Sequence, residues 1–298
     1  MVLYVLPFYL SKATRPSPSL SRDAPSVIRA RIRAVTSACI IGSLLVILIT
    51  TKYGHIPPKE TVHLLGWWPV DPLDVGRTIL LCAILFVGPL FEAGYVEGKA
   101  VDWIRGTYLV ETFSSWTGWR NLVAGPVTEE IVFRSLLVPL HLMAHVSPRK
   151  IVFTTPLYFG IAHIHHLYEF RLTHPEVPAL PAVIRTVIQF TYTSLFGFFA
   201  TFVYLRTGSV YTAIAAHMFC NWMGLPRFWG RVSGDVVTNV STSGKRDDAR
   251  ASSGNSGRSQ SLSVVWTILY YALLVSGAYA FYMYIDPLTK STHELVIF

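Results

Sequence analysis

AVTSACIIGSLLVILITT, residues Ala34–Thr51, carries no charged side chain and no proline. At about 1.5 Å of rise per residue, a helix of this length crosses most of a bilayer's hydrocarbon core, about 30 Å thick. The run has no alternation of period two and is too long for a barrel strand, so it reads as a membrane helix. Working outward, Ile79–Val96 and Val264–Ile285 are the other clearest apolar runs. Four weaker segments, Val123–Ala144, Ile151–Tyr168, Val183–Leu205 and Ser209–Leu225, are apolar but contain Glu, His, Asn or Arg. Ionisable residues at membrane depth are costly, and by default they mark a site or a water-filled cavity. The expected fold is therefore all-α: a polytopic integral membrane protein of about seven to eight transmembrane helices, with its active site in a cavity between helices.

Composition supports lipid as the solvent. Hydrophobic residues make up 52% of the 298-residue chain and charged residues 14%, with a mean hydropathy of +0.43. Soluble domains carry about a quarter charged residues. The net charge of +8 does not indicate nucleic acid, because the basic residues lie in short runs between apolar segments. Lys12, Arg15, Arg22, Arg29, Arg31 and Arg33 precede the first strong span and place that side in the cytoplasm. The stretches 99–120 and 227–263 return to the same side by the span count. The N-terminal MVLYVLPFYL lacks a basic leader and a small-residue cleavage site, so it reads as an interfacial segment or the remnant of a first span. Cys39, Cys82 and Cys220 each lie in an apolar run and form no disulfide pattern. We read 1–298 as a single polytopic domain with a catalytic core over about 119–228, a disordered Ser- and Gly-rich loop over about 233–263, and a last span over about 264–285. Asn239-Val240-Ser241 within that loop is formally a glycosylation acceptor, but a cytoplasmic loop would leave it unused.

Three polar clusters interrupt the apolar background. In Gly125-Pro126-Val127-Thr128-Glu129-Glu130-Ile131-Val132-Phe133-Arg134, Gly-Pro ahead of two carboxylates signals a helix start. Glu130 and Arg134 then share a face at a spacing that suits an ion pair, whereas Glu129, rotated by about 100°, stays free to act as a base. In Phe159-Gly160-Ile161-Ala162-His163-Ile164-His165-His166, helical geometry puts Phe159, His163 and His166 on one face and turns His165 away. His166 is then a supporting partner of the site. In His217-Met218-Phe219-Cys220-Asn221, His217 and Asn221 project together, and both can donate hydrogen bonds to a developing oxyanion. A carboxylate and a histidine to activate water, with a His/Asn pair to receive charge, describe a hydrolase. Nothing near Cys220 favours a thiolate nucleophile. Zinc is the competing reading, with Glu129 or Glu130, His163 and His217 as three ligands from separate helices, although no H-E-x-x-H helix is present. The expected cofactor is none, with zinc left open.

These clusters resemble the CPBP (ABI) family of intramembrane proteases, and within it the eukaryotic type II CAAX prenyl endopeptidases. The family's two glutamates followed by x-x-x-R, its F-x-x-x-H and its H-x-x-x-N stand here as Glu129-Glu130…Arg134, Phe159…His163 and His217…Asn221. RNLVAGPVTEEIVFR, YFGIAHIHHLYE, QFTYTSLFG, HMFCNWMG and the early DAPSVIRARI extend the similarity. The resemblance implies an endoplasmic reticulum enzyme, accessible from the cytosol, that removes the last three residues of farnesylated or geranylgeranylated CAAX proteins such as Ras-like and Rho-like small GTPases. It implies Glu129 and His163 as the water-activating pair, His217 and Asn221 as the oxyanion hole, and Glu130 and Arg134 as supports. Phe190, Tyr192, Phe196, Phe198 and Phe199 are candidates for a prenyl slot. Other readings are a CPBP protease for non-prenylated membrane peptides, a scaffold without turnover, and a transporter using Glu and His as a proton relay, the last disfavoured by the lack of an inverted repeat.

Overall fold

The computed structural model describes residues 2–234 and 260–298, and over these the protein is helical apart from one two-residue strand pair. The elements are α1 (Val2–Val5), α2 (Pro25–Tyr53), α3 (Pro58–Leu64), α4 (Pro72–Leu85), α5 (Val87–Val96), α6 (Ala100–Arg105), α7 (Thr107–Ser114), α8 (116–143), α9 (Pro148–Ala162), α10 (His165–Thr173), α11 (Ala179–Thr207), α12 (Val210–Met223) and α13 (Val264–Thr289). Local chemistry fixes several of their ends. Asp71 caps α4 by accepting from the Leu73 amide at 2.8 Å, with Pro72 in the first turn, and Ser263 caps α13 through the Val265 amide. At the end of α11, Gly208 takes a left-handed φ of +58° against the His293 carbonyl, a place where a Cβ would collide.

Among the described residues, three helices are long and apolar enough to cross a membrane: α2, α11 and α13. A fourth crossing is available if the bent pair α4–α5 counts as one. The apolar run Ile79–Val96 is thus not one straight helix, because the chain turns by 79° between Leu85 and Val87. Large apolar side chains cover the outer faces, such as Ile40, Leu44 and Leu48 on α2, and Ile184, Val187 and Ile188 on α11. Only 11% of the most apolar window of α13 is buried within the protein, so most of that helix needs a non-aqueous surrounding.

Two packing relations place the site. Helix α9 lies along α11, drawn close where each presents a small residue to the other. Gly160 meets Phe190 and Ser194, and Gly197 meets Pro156, with a Cβ at Gly197 only 2.6 Å from Pro156. Helix α12 packs on α4, on α11 and on the Gly125–Glu130 turn of α8, which carries His217 towards the two glutamates. The N-terminal segment folds under this group. Tyr4 and Phe8 join Val35, Cys39, Phe133 and Phe159 in one buried cluster, so the N-terminal segment contributes these two rings to the core.

The Ser- and Gly-rich stretch is bracketed by strands Ser233–Gly234 and Gln260–Ser261, which pair antiparallel. The rest of that expected loop, with the Asn239 acceptor, lies outside the described residues.

Candidate active site

Gly125-Pro126 does not begin a helix. It lies inside α8, between two wider π-helical turns, Arg120–Ala124 and Ile131–Leu136. Pro126 has no amide proton to give and its ring would crowd the preceding turn, and the looser turn ahead of it provides the room. The six residues between the two π turns end in the glutamate pair.

The two carboxylates have different surroundings. Glu130 is fully buried, and its Oε1 accepts from Arg134 Nη1 at 3.0 Å and from His217 Nδ1 at 2.7 Å. Arg134, equally buried, donates from Nη2 to the Gly197 carbonyl at 3.3 Å and lies over the Phe159 ring at 4.9 Å. This ion pair therefore ties α8 to α9, α11 and α12. The Glu129 side chain is 15% exposed to the cavity. Its Oε1 accepts from the Tyr4 hydroxyl at 2.8 Å, and its Oε2 is 3.6 Å from His217 Nε2. His217 thus stands between the two glutamates, held also by Phe196 with ring centroids 4.5 Å apart.

His163 closes α9, its ring edge-on to Phe159 at 4.7 Å. Its Nδ1 is 2.8 Å from the Phe159 carbonyl, which can only accept, so the ring proton is assigned to Nδ1 and the Nε2 lone pair is free. Asn221, one turn beyond His217, donates from Nδ2 to the Asn121 carbonyl at 2.9 Å and retains a second N–H. Glu129, His163, His217 and Asn221 all line one cavity of about 990 Å³.

The third histidine position needs correction. His165 does not turn away, because the α-helix stops at Ala162 and restarts at His165, which breaks the face arithmetic. Both His165 and His166 line the cavity, 4.0 Å apart between ring centroids. His166 faces Glu169 and Arg22 through Nδ1, at 3.3 and 3.5 Å. Among the expected aromatic residues, Tyr192, Phe196 and Phe199 line the cavity. Phe190 instead lies against Gly160, and Phe198 packs on Phe153 at 5.5 Å. The rest of the apolar wall comes from Leu85 and Phe86 on the α4–α5 bend and from Leu274 and Phe281 on α13.

For a metal, the donors that converge within 4.8 Å among the described residues are His165, His166 and Glu169, not Glu129 or Glu130 with His163 and His217. A cation there would compete with Arg31 and Arg22, which already pair with Glu169 at 2.6 and 3.4 Å.

Sequence comparison places the chain in a family. The profile for type II CAAX prenyl endopeptidase, Rce1-like, matches residues 111–223, the interval that contains Glu129, Glu130, Arg134, His163, His217 and Asn221. The probable CAAX prenyl protease 2 of Schizosaccharomyces pombe is 35% identical over 94% of this chain and 88% of its own length. The chain belongs to the type II CAAX prenyl endopeptidase family. The human CAAX prenyl protease 2 is 33% identical over 75% of the chain and 68% of its own length, and the Saccharomyces cerevisiae protein is 29% identical over 93% and 89%. No solved structure matches. Family membership was legible from the motifs, but the contact of Tyr4 with Glu129 was not, since a lone tyrosine in a short apolar run carries no signal of a partner 125 positions away.

Proposed function

We propose that this protein is an endopeptidase that removes the C-terminal tripeptide from prenylated CAAX proteins, by attack of a water activated by Glu129 and His163. The observation that carries the reading is the single cavity. Its lining combines a partly exposed carboxylate, a histidine with a free Nε2 lone pair and an amide N–H donor with the apolar side chains of Leu85, Phe86, Phe199, Leu274 and Phe281. An isoprenoid chain fits the apolar wall, and the peptide beside it comes under the polar groups.

In this mechanism the water sits between Glu129 and His163 Nε2. Glu129 takes a proton as the water oxygen bonds to the scissile carbonyl carbon. The oxyanion accepts hydrogen bonds from Asn221 Nδ2 and from His217 Nε2. For His217 to donate there while Nδ1 donates to Glu130, its ring carries both protons, and the flanking carboxylates supply the counter-charge. The C–N bond then breaks, and the proton held by Glu129 passes to the leaving amine. Prenylcysteine carboxylate and a free tripeptide result. Glu130 and Arg134 act by holding His217 and α8 in place, and His166 supports the wall beside His163. The proposed chemistry needs no metal.

The proposal includes about seven to eight crossings, of which α2, α11, α13, the bent α4–α5 pair, α8, α9 and α12 account for seven. It places the enzyme in the endoplasmic reticulum membrane with the cavity open to the cytosol, where Ras-like and Rho-like small GTPases are its substrates. The test is cleavage of a farnesylated CAAX peptide and its unprenylated twin by the purified, detergent-solubilised protein, with and without a chelator. Prenyl-dependent tripeptide release that survives chelation and vanishes in Glu129→Ala and His163→Ala supports the reading. Equal cleavage of both peptides moves the substrate class to other membrane peptides, full activity of Glu129→Ala overturns the mechanism, and loss on chelation with recovery by zinc overturns its metal-free form.

A further inference from the structure

Beyond His163 the cavity ends among guanidinium groups. Arg22, Arg31 and Arg120 all line it, and the carboxylates that meet them are Glu169 and Asp23, so one positive charge is left over. The three arginines are not equally occupied. Arg31 is committed, with Nε on the Thr14 carbonyl at 2.8 Å and Nη2 on Glu169 Oε1 at 2.6 Å. Arg120 holds Asp23 Oδ1 at 2.7 Å and Asn121 Oδ1 at 2.9 Å, leaving Nη2 unengaged. Arg22 makes two long contacts, both from Nη1: 3.4 Å to Glu169 Oε2 and 3.5 Å to His166 Nδ1. Its Nε and Nη2 have no partner among the described residues, and its side chain is 40% exposed. Burial, with Arg120 and Arg31 nearby, disfavours the Arg22 cation, and Glu169 offsets that only in part. The site is short of one anion.

We propose that Arg22, with Arg120 beside it, receives the free α-carboxylate of the substrate's last residue. The inference rests on the tripeptide-releasing reading above and adds to it a subsite for the chain end. The reach is suitable. Three extended residues separate the scissile bond from the terminal carboxylate, a span of roughly 10 Å. His163 is 5.8 Å from His166 between ring centroids, and Arg22 is 3.5 Å from His166 Nδ1, so the arginine lies within that span of the water-activating histidine. The chemistry is also suitable, because a guanidinium whose Nε–Nη2 edge is free offers a fork that matches a carboxylate. Arg22 is held loosely enough to turn towards it, and Glu169 and Arg31, firmly paired, form the rigid floor. A carboxylate reader at this distance explains how an endopeptidase measures three residues from the chain end: the terminus is fixed first, and the bond that then lies under Glu129 is cut.

The test compares one farnesylated CAAX peptide as free acid, as C-terminal amide, and extended by one residue, in the wild type and in Arg22→Gln. The wild type is expected to cut the acid at least about tenfold more efficiently in kcat/KM than the amide, as for loss of a charge-assisted hydrogen bond, with the difference mainly in KM. The extended peptide is expected to be cut poorly. In Arg22→Gln the acid-to-amide ratio falls towards one, and Arg22→Lys, which keeps the charge and loses the fork, falls between. Equal rates on acid and amide in the wild type, or an undiminished ratio in Arg22→Gln, overturn the inference while leaving prenyl-dependent cleavage intact. If the wild type cuts no prenylated peptide at all, the proposed function itself fails and the subsite with it.

Discussion

Replacing Tyr4 with phenylalanine removes one oxygen from the site and leaves the ring in place. In the wild type that hydroxyl donates to Glu129 Oε1 at 2.8 Å, and His217 Nε2 lies 3.6 Å from Oε2. The ring contributes separately, edge-on to Phe8 and to Phe133 at 5.6 Å each. A hydrogen bond to a charged group is worth about 1.5–3 kcal/mol. Glu129 opens onto the cavity, so water can take the vacated position and the lower end applies. About 1.5 kcal/mol of lost orientation corresponds to roughly a tenfold fall in kcat. Tyr4 borders the cavity, but it is buried and its hydroxyl is engaged by Glu129, so KM stays within about twofold, a smaller effect than the loss of any direct charged contact. The ring contacts persist, so thermal stability in detergent barely moves. Tyr4→Ala is the contrast, losing about 3 kcal/mol of stability because a buried ring is removed. The assay is steady-state cleavage of a farnesylated peptide, with kcat and KM resolved, beside a melting curve. Wild-type kcat in Tyr4→Phe would refute the view that the N-terminal segment orients Glu129. A raised KM with kcat unchanged would refute it differently, by making Tyr4 a substrate contact.

Three further outcomes follow from the packing. Arg134→Ala leaves the buried Glu130 carboxylate with His217 alone and should cost about 3 kcal/mol, read as a lowered melting temperature, together with activity; an unchanged melt would show that the pair contributes nothing net. Gly160→Val places side-chain atoms where Phe190 and Ser194 of α11 already lie, so it should separate α9 from α11 and reduce both stability and turnover, whereas Gly76→Ala, which meets nothing within 4 Å, serves as the silent control. Cys220→Ala should keep most activity, because the thiol is given no role at the reacting carbon; complete loss with the fold intact would reopen a cysteine mechanism.

How much of this was legible in the sequence depends on how far each contact reaches along the chain. The Glu130–Arg134 pair spans one helical turn, and spacing alone predicts it. The Phe159–His163 and His217–Asn221 pairs are equally local. Where helical arithmetic assumed an unbroken helix it failed, as at His165, because a two-residue break resets the phase and no proline or glycine announces it. The Gly125-Pro126 signal misled for a related reason. A proline that ordinarily starts a helix is accommodated within one by a π turn, and a π turn has no compositional mark. Apolar content likewise reads alike whether a run is straight or turned through 79°, and the local mark of the bend at Phe86 is Gly88-Pro89 just beyond it. Contacts joining distant segments, Tyr4 to Glu129 and Arg31 to Glu169, had no local pattern to betray them.

The π turns around Gly125–Glu130 also bear on how the site is held. A regular helix advances about 100° per residue, so adjacent glutamates necessarily diverge, and one can be buried while its neighbour faces a cavity. That divergence is useful only if the segment is fixed about its own axis, since a modest rotation would exchange their surroundings. Widened turns on both sides disconnect the segment's phase from the rest of α8, and something else must then set it. Glu130 does so: locked to Arg134 and His217 and through them to the Gly197 carbonyl, it anchors the rotation from the buried side, while Tyr4 holds Glu129 from the cavity side. Four elements, α1, α8, α11 and α12, thus converge on two adjacent residues. The buried pair costs desolvation that a hydrophobic pair would not. What it supplies is a fixed direction for the carboxylate next to it.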